Sequence, residues 1–166
     1  GGLILGPWRD HLEPFYAGGS IRLFRSISGT PGDISSELLY ADIDAGIFMP
    51  TGSGSMADGD TESEMMVYRA SAGISWPFLA FNPGSYRIQL LLALRAGASI
   101  TDLVTDNAVE RIEILSLDPF VEAGIASRLF ISKRLYVEPG LLYRRIFYVD
   151  QPMDSLEFSI GAGMRF

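Results

Sequence analysis

Cysteine is absent from these 166 residues, and lysine and histidine occur once each, as Lys133 and His11. Without cysteine there is no disulfide framework and no thiolate metal site. The longest apolar run is Leu90–Leu94. A membrane-spanning helix needs roughly 18 or more apolar residues, so crossing by helix is excluded. A helical period of useful length is missing as well. The formal net charge is −7, the wrong sign for a face that binds phosphate backbones, so nucleic acid is not an expected partner. No glycine-rich phosphate loop, zinc spacing or nucleophile elbow occurs, and no cofactor is expected. Gly1-Gly2 opens directly into Leu3-Ile4-Leu5 with no basic region before it, so no leader is expected within these residues and the chain reads as processed or trimmed.

What is present points to strands. The 18 glycines, nine prolines and 11% aromatics suit many strands and turns, in one all-β domain over 1–166. Period-2 alternation recurs along the chain. It is cleanest from Ser155 to Phe166, where Leu156, Phe158, Ile160, Ala162, Met164 and Phe166 oppose Ser155, Glu157, Ser159, Gly161, Gly163 and Arg165. In Met66–Phe78, Tyr68, Ala70, Ala72, Ile74 and Trp76 oppose Arg69, Ser71, Gly73 and Ser75. Tyr86–Thr101 and Leu39–Met49 divide in the same way, the latter opposing Ile43, Ala45 and Ile47 to Asp42 and Asp44. Further segments centre on Val121–Leu129, Leu135–Val149 and Phe15–Leu23. Each is long enough to cross a bilayer as a tilted strand of about 9–11 residues.

The connections alternate in length. Asn82-Pro83-Gly84 and Ile131–Arg134 are tight and Ser28–Ile34 is short, whereas Thr51–Ser63 and Thr101–Glu110 are long and polar, with Asp150–Asp154 between them in length. Short turns on one side and long loops on the other require an even number of strands. An eighth strand must therefore precede Phe15, and Leu3–Trp8, interrupted by Gly6-Pro7, is the segment left for it.

The expected fold is thus an eight-stranded antiparallel up-and-down barrel, and the composition of the two faces sets its orientation. The polar face carries Arg22, Asp42, Asp44, Arg69, Arg87, Arg95, Glu122, Arg128, Glu138, Arg144, Glu157 and Arg165, interleaved with glycine and serine. The basic residues are 12 arginines to one lysine, and arginine is the residue suited to pairing in a confined space. Seven arginines against five carboxylates nearly neutralise one another inside a barrel, with glycine and serine making room for the long side chains. The apolar face is aliphatic at its centre. Phe15, Phe48, Tyr68, Phe120, Tyr143, Phe147 and Phe158 lie toward one end, and Trp76, Phe78, Phe81, Tyr86, Phe130, Tyr136 and Phe166 toward the other. Two aromatic girdles around an aliphatic band suit a transmembrane barrel with an apolar exterior and a charged interior. A soluble lipocalin-like binder, with the same alternation turned outside in, is the alternative. Two residues strain the pattern. Pro139 inside a strand predicts a bulge, and Arg145 falls on the apolar face, close enough to the rim to snorkel.

The final segment, Leu156-Glu157-Phe158-Ser159-Ile160-Gly161-Ala162-Gly163-Met164-Arg165-Phe166, resembles the C-terminal signal of bacterial outer-membrane proteins. By length and strand number the whole chain resembles the small OmpA-like, OmpX-like and OmpW-like barrels. The resemblance implies an outer-membrane location with both termini periplasmic. It also implies reading of Phe158, Ile160, Met164 and Phe166 by the barrel-assembly machinery, and outer-membrane lipid and lipopolysaccharide as surroundings.

Candidate chemistry is sparse. Asp10-His11 in the first outer loop, with a serine, would resemble the rim sites of lipid-modifying or proteolytic barrels, but no second motif accompanies it and an exposed loop histidine is the simpler reading. Asp58, Asp60 and Glu62 alternate as carboxylates do in a calcium loop, yet the glycine and glutamate that such a loop needs do not follow in register, so a solvated acidic loop is the simpler reading. Eight strands enclose just enough room for side chains. The expected role is therefore a non-enzymatic outer-membrane barrel, plugged by its arginine–carboxylate network, that supports the envelope or presents acidic loops. A narrow conduit for small or hydrophobic solutes, as the OmpW-like resemblance implies, and a lipid A-modifying or proteolytic enzyme are the alternatives.

Overall fold

The computed structural model describes residues 1–5, 15–27, 38–50, 62–83, 86–106, 111–132, 135–149 and 151–164. Eight strands follow in chain order: β1 (Gly2–Leu5), β2 (Phe15–Ser26), β3 (Tyr40–Pro50), β4 (Glu62–Phe81), β5 (Arg87–Asp106), β6 (Arg111–Phe130), β7 (Leu135–Ile146) and β8 (Met153–Met164). Each is antiparallel to the next, and β8 returns to β1, so hydrogen bonds close the ring. The all-β, eight-stranded, up-and-down expectation is met. Among the described residues there is no helix. The turn end of the ring carries Ser26, Tyr40, Phe81 and Arg87; the loop end carries Tyr16, Phe48, Ile146 and Met153.

Alternation along each strand sorts side chains between a buried and an exposed face. In β3, Asp42, Asp44 and Phe48 are buried while Ile43, Ala45 and Ile47 are exposed. Glycine keeps adjacent strands close where a long side chain crosses. A β-carbon on Gly73 would collide with the Leu94 carbonyl and the backbone and side chain of Arg95, so the absence of a side chain there lets Arg95 lie flat against β4.

The wall is uneven. Strands β4, β5 and β6 run 20 residues each, about 66 Å when fully extended. β3 begins to pair with β4 at Phe48–Val67, and β7 with β6 at Ile146–Phe120. Glu62–Met66, Asp102–Asp106 and Arg111–Asp118 therefore pair only within these three strands and stand beyond the ring at its loop end. This corrects the long polar loop expected over Thr101–Glu110. Thr101–Asp106 is strand, paired with Arg111–Ser116. On the opposite side β1 has four residues, and the ring narrows to a short seam between β8 and β2.

The bulge lies elsewhere than expected. Pro139 stays in register with Ile160, and β6 and β7 only skip pairs between Ala126–Gly140 and Leu129–Val137. The register shift falls between Pro77 and Leu79, where Phe78 is the extra residue. Proline lacks the N–H that the ladder needs, and one inserted residue flips the parity that follows. Phe78, Leu79 and Phe81 are consequently all exposed.

Candidate functional site

The buried faces of non-adjacent strands meet across the ring and place most of the sequence-derived charge network in one body. Asp42, Asp44, Arg69, Arg95, Glu122, Arg128, Glu138, Arg144 and Glu157 are all buried; Arg22 and Arg87 are half-buried. Arg165 lies outside the described residues. The network has two centres. Midway along the ring, Glu122 accepts from Arg95 Nη1 at 2.7 Å and from Arg144 Nη2 at 3.0 Å, and lies 3.9 Å from Arg69. Glu157 accepts from Arg69 at 2.8 Å and 3.2 Å and from Arg144 at 2.7 Å. Two carboxylates thus hold three guanidinium groups from β4, β5 and β7. Toward the turn end, Glu138 accepts from Arg22 Nη1 at 2.6 Å and from Arg128 Nε at 2.7 Å. Asp44 joins the centres, 3.6 Å from Arg22 and 3.5 Å from Arg69. Asp42 accepts a short hydrogen bond from Ser75 and lies 3.6 Å from Arg95.

Charges taken this far out of water need close partners; most of these are paired and hydrogen-bonded, while Asp44 is held by its two arginines through charge alone. Arginine suits the task because its planar fork serves two acceptors at once, as Arg144 serves Glu122 and Glu157.

Aromatic rings bracket the charges, and four of them correct the girdle assignment. Phe48, Phe120, Phe130 and Tyr136 are buried, not exposed at the rims. Their even numbers put them on the same faces as Asp44, Glu122, Arg128 and Glu138, so strand parity already contained the answer. At the loop end Tyr16, Phe48, Val67, Phe120, Ile146 and Met153 form an apolar cluster against which Tyr148 packs. Burial pushes the Tyr148 phenol above its ordinary range, and its oxygen lies 2.9 Å from the Thr101 hydroxyl. At the turn end the Arg128 guanidinium lies 4.1 Å from the Phe24 ring, 4.9 Å from Tyr40 and 5.0 Å from Tyr136. Arg69 stacks on Phe48 at 3.8 Å. Cation–ring contacts of this kind gain strength when desolvated. Gln89 and Tyr40, on the polar faces that alternation gives them, are buried and hydrogen-bonded at 3.2 Å, and buried Asp118 is a residue the sequence reading did not single out.

The exposed face is the inverse. Ile21, Leu23, Ile43, Ile74, Trp76, Leu92, Leu94, Ile125, Phe158 and Ile160 are all at least 45% exposed. Arg145 lies on this side near the loop end. It donates to Asp154 at 2.9 Å and 3.1 Å, and Tyr143 donates to the same carboxylate at 2.6 Å. Of the proposed assembly-signal residues, Phe158 and Ile160 point outward from β8, Met164 ends that strand, and Phe166 lies outside the described residues. His11, Asp58 and Asp60 also lie outside them, and Glu62 opens β4. Among the described residues, no group of three His, Asp or Glu side chains is placed to hold a metal ion. No family model matches the chain, and no curated protein matches its sequence.

Proposed function

We propose that this chain is a barrel of the bacterial outer membrane, with its turn end in the periplasm and its loop end facing outward. Its role is structural or surface-interacting rather than enzymatic. The observation that carries the reading is the inverted distribution of side chains. Aliphatic and aromatic residues cover the outside, while arginines, aspartates and glutamates are buried and paired. A monomer in water rarely displays a continuous apolar belt of this extent, whereas hydrocarbon requires one. A ring closed by hydrogen bonds also meets the demand that lipid makes on backbone polar groups.

The same reading makes the interior a plug. Arg128, Tyr40, Phe120, Leu91, Gln89 and Glu122 are each less than 2% exposed. An apolar cluster stops the loop end and an arginine-centred ring cage the turn end, which favours a filled interior over a conduit. Acidic loop-end segments and lipopolysaccharide are the natural points of contact with the surroundings, and the barrel-assembly machinery is the partner during insertion. The test is reconstitution. The full chain should require detergent or vesicles, migrate faster unheated than heated on a denaturing gel, and give no discrete conductance in a planar bilayer. Free solubility without detergent overturns the membrane reading, and reproducible conductance steps overturn the plug.

A further inference from the structure

Two arginines face outward among the described side chains of the wall, Arg25 on β2 and Arg145 on β7, and only one of them has a counter-ion. Asp154 meets Arg145 side-on at 2.9 Å and 3.1 Å. Arg25 is exposed and follows Ile21 and Leu23 on the outer face of β2. Among the described residues no carboxylate pairs with it. The sequence reading did not single it out.

The register fixes how deep Arg25 lies. The hydrogen-bonded row that starts at Arg25 runs through Ile74, Leu94, Tyr143 and Leu3, and returns to β2 at Phe15, ten residues nearer the loop end. Ten residues of about 3.3 Å against eight strands about 4.8 Å apart give a strand tilt of about 40°. Each step along the row therefore climbs about 3 Å, and each residue down a strand descends about 2.5 Å. The level of Arg25 is that of Trp76 on β4, Leu90 on β5 and Val137 on β7. Apolar side chains continue below it. Leu135 lies about 5 Å lower and Phe81 about 10 Å lower, and both are exposed, as is Ile27 two residues beyond Arg25. Arg25 thus stands inside the apolar belt and not at its edge.

We propose that Arg25 is a headgroup site for an anionic phospholipid of the turn-end leaflet. Its guanidinium grips the phosphodiester, and the acyl chains lie on the exposed Leu23 and Ile43, which pair across β2 and β3. The proposal rests on the membrane reading, which makes the surroundings lipid. Hydrocarbon does not hold an unpaired guanidinium, and an arginine side chain reaches about 6 Å, far enough to carry its charge down to the phosphates. The planar fork matches two phosphate oxygens at once. A single arginine balances the single charge of a phosphodiester, so the lipid supplies at Arg25 the acid that Asp154 supplies at Arg145.

The test takes the full chain folded in vesicles of phosphatidylcholine with phosphatidylglycerol as the minority lipid, transfers it to a mild detergent and weighs it intact by mass spectrometry. The wild-type chain should retain one phosphatidylglycerol about fivefold more often than Arg25→Gln. Arg25→Lys keeps a point charge and should retain most of the adduct, and Arg145→Gln should match the wild type. On the wild-type chain, an uncharged glycolipid offered in the same proportion should not be retained, and inorganic phosphate in excess should not displace the phospholipid. An adduct unchanged in Arg25→Gln, an equal loss in Arg145→Gln, equal retention of the glycolipid, or displacement by inorganic phosphate each overturns the headgroup site. Protein that stays soluble without detergent overturns the membrane reading instead. Titration with dihexanoyl phosphatidylglycerol in water then decides the site by itself: weaker binding in Arg25→Gln upholds it, and equal binding overturns it.

Discussion

The two sides of the ring are built to different standards. On one side three 20-residue strands pair along their full length, and Arg69, Arg95 and Glu122 tie them together through the buried face. On the other, β1 contributes four residues, Arg22 is only partly covered, and the flanking strands run past their partner. The same alternation produced both. They differ in how many neighbours each backbone group and each charge finds, and this sets what a substitution costs.

Six substitutions sharpen the contrast, grouped so that the largest effect in each comparison falls from first to last. Glu122→Ala removes the carboxylate that Arg95 and Arg144 share, leaving them only Asp42 and Glu157 respectively, and should lower stability by about 3–5 kcal/mol in urea unfolding followed by tryptophan fluorescence. At the seam, Arg22→Ala should cost much less, since Glu138 keeps Arg128 at 2.6 Å; an equal loss would show that the seam is as constrained as the wall. Leu94→Arg places a charge on the outer face of β5 and should cost about 2–4 kcal/mol in vesicles. If it is neutral in the same titration, that face is not in hydrocarbon. Gly73→Ala collides with Arg95 and should cost about 1–3 kcal/mol, whereas Gly19→Ala, whose added carbon meets nothing within 4 Å, should change the midpoint by less than about 0.5 kcal/mol. Asp154→Asn weakens an exposed pair with Arg145 and should cost about 1 kcal/mol or less, declining further as salt is added.

Alternation was legible because a strand obeys one simple period, and seven of the eight strands followed from it, with the parity of loop lengths supplying the eighth. Arg69, Glu122, Arg144 and Glu157 were assigned to one face by parity and are buried together. What was illegible depends on contacts between strands. Phe48 and Phe120 are not of that kind: they sit near strand ends as girdle residues do, but their parity already turns them inward, where guanidinium groups lie over their rings. Asp102–Asp106 looks like a polar loop, and becomes strand because β4 and β6 flank it on both sides. The register shifts beside Pro77 and not beside Pro139, a difference that the folded ring shows and the chain does not.

Glu157 belongs to β8, the last strand in the chain, and two of the guanidinium groups that it binds, on Arg69 and Arg144, belong to strands that precede it. Until β8 docks, both arginines lack one of their carboxylates, and β1 lacks the neighbour along its whole length. Closing the backbone ring and completing the pairing of Arg69 and Arg144 therefore draw on the same strand.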